Sequence, residues 1–301
     1  MIDRALGELA AGLAHDGVPG HVGRRVRAEA RDHLEEAAAQ VGDEEAVRAF
    51  GPPRELARLV AAEVATTETR AAALATFTTL AVAGVVYAFL FLTLPHAGSP
   101  DAFGGSVPGL GVVALLGIVF APQVAFVSGC LSLLRVVRTR RRGALPAAEL
   151  RVQRWRTGVA LGAGLATLAS LAAAALDFRH DLAAWWVAAA LAASAALVLA
   201  LGAVAVTISR SARPRALEGG SADDVFDDLA PVLELPPLRR LELPSHPWRF
   251  ALLVGAVAAA AVALAGIAGR DPLDGLVRAA AELVSVLGCF AVLGRPLGLR
   301  R

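Results

Sequence analysis

Six stretches of this chain, at about residues 71–94, 109–134, 157–176, 183–208, 250–268 and 273–294, run for some twenty residues with almost no charge. At 1.5 Å per residue, a helix of that length crosses a hydrocarbon core of roughly 30 Å. Lipid offers no water to bond the backbone, so each segment must satisfy its own N–H and C=O groups, which selects helices. The expected fold is all-α: a small N-terminal cytoplasmic helical domain at residues 1–69, then a six-helix transmembrane bundle within 70–301 that includes a long cytoplasmic loop at 209–248. An apolar fraction of 56% and a mean hydropathy of +0.59 exceed what a soluble protein of 301 residues needs for its core. The remainder belongs in lipid.

Arginine orients the bundle, because basic residues near span ends are retained on the cytoplasmic side. All 29 basic residues are arginine; segment 95–108 holds none, 135–156 holds eight and 209–249 holds six. The first loop is therefore expected outside and the second inside, and continued alternation puts both termini in the cytoplasm of a multi-pass cell-membrane protein. Trp155, Trp185, Trp186 and Trp248 fall at expected span ends, where an amphipathic ring prefers the headgroup layer.

Residues 1–70 carry thirteen acids against nine arginines. An acidic surface repels phosphate backbones, so direct nucleic-acid binding is not expected unless Arg24, Arg25, Arg27 and Arg31 share one face. The first residues include Asp3 and Glu8 and have no basic flank leading into an apolar run, unlike a secretory signal. Ile2, Leu6, Leu9 and Leu13 form the stripe of a short amphipathic helix, which Asp16-Gly17-Val18-Pro19-Gly20 interrupts. Val22, Val26, Ala30, Leu34, Ala37 and Val41 mark a second helix, ended by Gly42. Asp43 is placed to cap a third helix that buries Ala46, Val47 and Phe50. Gly51-Pro52-Pro53 stops the third helix and starts a fourth, proline being tolerated where a helix's first N–H groups have no partner. Arg54 to Ala83 contains neither glycine nor proline, so the fourth helix should run unbroken into the first span.

Ionisable groups within apolar spans are the first place to look for function. Arg278 and Glu282 lie four residues apart in the last span, as an intrahelical pair or, if Glu282 faces the bundle, as a proton or cation site. Pro122-Gln123 should kink the second span. Gly158, Gly162 and Gly164 suit close helix approach, a weak signal in an alanine-rich span. Cys130 and Cys289 sit in apolar runs and suggest packing. No phosphate-binding loop, nucleophile elbow, zinc-protease helix or dinucleotide fingerprint occurs. The expectation is a non-enzymatic chain with no cofactor or metal. After Gly219-Gly220, Val225, Phe226, Leu229, Val232 and Leu233 interleave with aspartates, as an acidic linker or a short docking helix.

The run VRAEARDHLEEAAAQVGDEEAVRAFGPPRELARLVAAEV resembles the HAAS domain, the helix-turn-helix-associated α-helical signalling or permease prefix domain of bacterial membrane proteins. The similarity covers about residues 1–66. It rests on Leu34-Glu35-Glu36, Gly42, Glu44-Glu45-Ala46-Val47, Phe50-Gly51-Pro52 and Glu55-Leu56-Ala57; Pro53 stands where that family more often has an acidic residue. The resemblance implies a membrane signalling or regulatory protein whose cytoplasmic helices bind a protein partner, a PadR-like transcriptional repressor first among them. A permease or transporter subunit moving a small solute is the alternative.

The arginine pattern predicts that an epitope tag before Met1 resists protease added to intact cells and is cleaved once the cells are opened. Cleavage from outside would reverse the orientation.

Overall fold

The computed structural model describes residues 1–93, 109–177, 179, 182–210, 247–268 and 272–293, and these contain helices and no β-strand. The helices are α1 (Ile2–His15), α2 (Gly20–Val41), α3 (Asp43–Phe50), α4 (Pro53–Thr93), α5 (Gly109–Thr139), α6 (Ala147–Asp177), α7 (Ala184–Arg210), α8 (Pro247–Ala268) and α9 (Pro272–Leu293). Four of them, α4 to α7, are long and apolar enough to cross a membrane, the composition of a membrane protein.

The first three helices close on the start of the fourth. Leu6, Leu9 and Leu13 of α1 are buried with Ala30 and Leu34 of α2 and Ala57 and Ala61 of α4. Ile2, Val22, Val26, Val47, Phe50, Leu56 and Val60 pack around them, which accounts for the apolar stripes read along these segments. Val41, at the end of the α2 stripe, is instead 57% exposed because α2 has by then passed the edge of the core. Small residues set the spacing between α1 and α4: a Cβ on Gly12 would stand 2.8 Å from that of Ala57. Gly42 and Gly51 end α2 and α3 with φ of +86° and +79°, a backbone region that side chains with a Cβ avoid. Asp43 does not cap α3. Gly42 occupies the cap position, no side chain bonds there, and Asp43 opens the helix beside Glu44 and Glu45, where the helix dipole favours negative charge.

Charge on the outer faces is locally paired. Arg25 donates to Glu29 at 2.8 Å, and Arg31 joins Asp3 of α1 at 3.0 Å and lies 3.9 Å from Glu35. The hydrogen bond to Glu29, followed by the charge of that carboxylate, raises the Arg25 pKa above its ordinary value. Two of the four α2 arginines weighed as a basic face thus have carboxylates beside them.

The α4 helix spans 41 residues without interruption. One end belongs to the N-terminal core through Ala57 and Ala61; further along, Leu80, Ala83 and Tyr87 pack with Leu161, Leu168, Leu197 and Leu201 of α6 and α7. Polar bonds fix α4 to α7 near its far end. Trp186 donates to the Leu90 carbonyl at 3.0 Å, and the Tyr87 hydroxyl meets Ser194. Because Ser194 gives its hydrogen to the Ala190 carbonyl at 2.8 Å, Tyr87 is the donor.

The helices α8 and α9 form an antiparallel pair packed chiefly on each other. Trp248 at the start of α8 meets Phe290 near the end of α9 edge-on, with ring centroids 4.9 Å apart. Gly255 sits at the crossing, where a Cβ would come within 2.8 Å of Leu283.

Close approach in the main bundle runs through different glycines from the pair at the start of α6. A Cβ at Gly117 would stand 2.0 Å from Ser170 Oγ and 2.9 Å from its Cβ, and one at Gly164 would stand 2.7 Å from Leu80. Among the described residues, nothing lies within 4 Å of a Cβ built on Gly158 or Gly162. Gly117→Ala should therefore force α5 from α6 at a cost of about 1–3 kcal/mol. Gly162→Ala should be neutral or stabilise by up to about 1 kcal/mol through the unfolded chain. Thermal unfolding in detergent compares the two, and equal midpoints would mean that the α5–α6 crossing can relax.

Candidate functional site

The richest polar chemistry among the described residues gathers where α4 leaves the N-terminal core and meets the ends of α5 and α6. Sequence places Thr66, Thr69 and Arg70 together there, three and four residues apart and so on adjoining turns of one helix. Thr66 Oγ1 donates to the Ala62 carbonyl at 2.8 Å and accepts the Leu145 N–H at 2.9 Å. Thr69 Oγ1 donates to the Ala65 carbonyl at 2.6 Å and accepts Arg154 Nε at 3.1 Å. Arg70 donates from Nη2 to the carbonyls of Thr139 and Arg142, the latter at 2.9 Å. Those carbonyls are at the C-terminus of α5 and just beyond it, where helix carbonyls lack intrahelical donors and cations are favoured. The turn between α5 and α6 therefore holds α4 by its backbone as well as its side chains.

Beneath this contact lies a buried ion pair. Arg135 of α5 and Glu149 of α6 are 1% and 2% exposed; Arg135 Nε donates to Glu149 Oε2 at 2.8 Å, and Nη2 reaches the same oxygen. Gln153, one turn along α6, donates from Nε2 to the Ser132 carbonyl and hydroxyl at 2.9 and 3.0 Å. Thr157 gives its only hydroxyl hydrogen to the Gln153 carbonyl at 2.8 Å, so the 2.8 Å contact between Ser132 and Thr157 has Ser132 as donor. Arg156, fully buried, reaches the Leu131 carbonyl from Nη1 at 3.5 Å. A planar fork donor suits such a site, where a lysine would present one strongly hydrated point charge.

This arrangement contains no nucleophile beside a base and no convergent set of metal ligands. What it can do is fix register: α4, α5 and α6 are joined by directional bonds at one level, so sliding or rotating α4 would strand several buried polar groups.

The two residues weighed as an intramembrane pair are placed differently. Glu282 accepts from Gln123 Nε2 at 2.7 Å, and Ser285, one turn further along α9, donates to Gln123 Oε1 at 3.4 Å. The amide that follows Pro122 thus bridges two residues of α9. Arg278 lies on α9, but its side chain is outside the described residues. The positions carrying the HAAS resemblance build the N-terminal core: Leu34 and Ala57 are fully buried, Phe50 and Leu56 pack against them, and the Pro52 carbonyl accepts the Glu55 N–H at 3.0 Å beside the left-handed Gly51. The acidic segment 221–235 is outside the described residues.

Sequence reading counted Arg135, Arg154 and Arg156 as loop charges, because 135–156 appeared to be a connection. The structure places them on helices, as α5 continues to Thr139 and α6 begins at Ala147. One signal was available: Glu149 is the sole acid among the eight arginines of that segment, and a lone acid is a natural partner for burial. Compared with known protein families, curated proteins and solved structures, the chain matches none.

Breaking the buried pair on one side leaves a charge without its counterion. Glu149→Gln should destabilise by about 3–5 kcal/mol, whereas the double change Arg135→Met with Glu149→Leu should cost clearly less than Glu149→Gln alone. Unfolding midpoints of Arg135→Met, Glu149→Leu and the double variant in detergent form the cycle, and additive losses would contradict the pair's coupling.

Proposed function

We propose that this chain is a membrane signalling or regulatory protein with six spans, in which the N-terminal helices form a cytoplasmic partner-binding domain whose position is set by the bundle. One observation carries the reading. The single helix α4 supplies buried residues to the N-terminal core and to the membrane helices, and it is held between them by Thr66, Thr69 and Arg70. A change in the packing of α5 and α6 is thereby transmitted to α1–α3 along a rod of roughly 60 Å. The HAAS-like residues support a protein partner for this domain, and a PadR-like repressor is the first to try. The apolar lengths of α8 and α9 support the fifth and sixth spans, and the arginine pattern supports cytoplasmic termini.

A second reading, a permease or transporter subunit, draws on the carboxylate of Glu282 held by Gln123 between apolar helices. Loss of solute flux in Glu282→Gln vesicles would favour it.

A Gly-Pro insertion between Glu63 and Arg70 breaks the rod and rotates its two halves by about 200° at 3.6 residues per turn. It should leave membrane insertion intact and abolish the partner's response, measured as partner co-purification and reporter transcription under inducing conditions. An unchanged response would remove α4 as the conduit.

A further inference from the structure

The turn that grips α4 and the start of α6 also carry exposed charge. Arg140 and Arg141 follow α5 directly, Arg151 lies in the second turn of α6, and all three are exposed. Among the described residues, no carboxylate lies within ion-pair distance of any of them. They differ in this from Arg4, Arg25, Arg31 and Arg48 of the N-terminal helices, each of which has a carboxylate beside it.

Their surroundings identify a lipid–water boundary. Trp155, 50% exposed, is one turn from Arg151 on the same open face of α6, about 6 Å further into the bundle by helix rise. On α5, Leu134 and Val137 are 40% and 63% exposed within the two turns before Arg140. Apolar side chains give way to an indole and then to guanidinium groups within about two helical turns, which matches the depth of a headgroup layer. A guanidinium offers a phosphodiester paired N–H donors, and an anionic leaflet concentrates that partner at the surface.

We propose that the α5–α6 turn docks the phosphate headgroups of anionic phospholipids through Arg140, Arg141 and Arg151, and that this docking tightens the grip on α4. The second half follows from connectivity, because the Leu145 N–H that bonds Thr66 and the Arg142 carbonyl that bonds Arg70 belong to the same short turn. Ordering that turn orders the donor and the acceptor that hold the rod. The inference rests on the membrane reading given above and adds to it a chemical input, the charge of the facing leaflet.

The test uses the full chain in lipid nanodiscs of phosphatidylcholine alone or mixed with phosphatidylglycerol. Retained lipids are measured by native mass spectrometry, and amide hydrogen exchange is followed across residues 62–70 and 140–146. Wild type should retain phosphatidylglycerol over phosphatidylcholine, with a contribution of about fivefold from each arginine. Its exchange in both segments should slow when the anionic lipid is present. The triple variant Arg140→Gln, Arg141→Gln, Arg151→Gln should lose the preference, and the matching lysine variant should keep part of it, which separates lost charge from lost fold. Parity in wild type, or a preference that survives in the glutamine variant, would overturn the lipid site. Displacement of the lipid by soluble glycerol phosphate would also overturn it, in favour of a small-anion site. A preference with unchanged exchange would overturn the coupling to α4. A chain that fails to enter the bilayer would overturn the membrane reading as well, whereas parity in an inserted chain would count against this inference alone.

Discussion

A guanidinium taken out of water must find its hydrogen-bond partners in the protein, and around Arg135 and Arg156 the ends of two helices are arranged to provide them. Glu149 balances Arg135, while α5 offers carbonyls at Leu131 and Ser132 to α6. The desolvation cost of such a pair is of the same order as its attraction, so it contributes little net stability relative to a packed apolar alternative. Its effect is on register, because Arg135 and Gln153 find their partners where α5 and α6 pack at this level. That register in turn places Leu145 and Arg142 where α4 can use them.

The α4 helix then links two cores of different character. At one end leucines of α1 and α2 close on alanines of α4, a packing driven by exclusion of water. Toward the other end α4 lies among apolar helices and its own outer surface also stays apolar, as at Val85 and Phe89. Association there relies on close fit and hydrogen bonds between helices, such as those of Trp186 and Tyr87. The threonines between the two cores have a double use. Thr66 and Thr69 bond their own helix backbone through the hydroxyl hydrogen, which leaves an oxygen lone pair for the neighbouring turn.

Much of the helix order was legible because apolar spacing and punctuation are local properties. The stripe of α1, the stop at Gly42, the break at Gly51-Pro52 and the continuity of α4 could all be read from neighbouring residues. The polar junction was not legible, since its bonds join residues 69 to 85 positions apart, as between Arg70 and Thr139 or Thr69 and Arg154. Hydropathy also shortened α5 and α6: a helix that buries an ion pair reads as a charged loop. The partner of Gln123 was not legible for the same reason, since it lies 159 residues away. Gly158 and Gly162 carried a spacing suited to contact, yet their face meets nothing in the described chain.

The α8–α9 pair packs mainly on itself and reaches α5 through the amide of Gln123. On the six-span proposal, such a pair enters the bilayer as a hairpin beside helices joined by their own ion pair. Neither helix of the pair contributes to the Arg135–Glu149 contact, so the hairpin can shift without dismantling it.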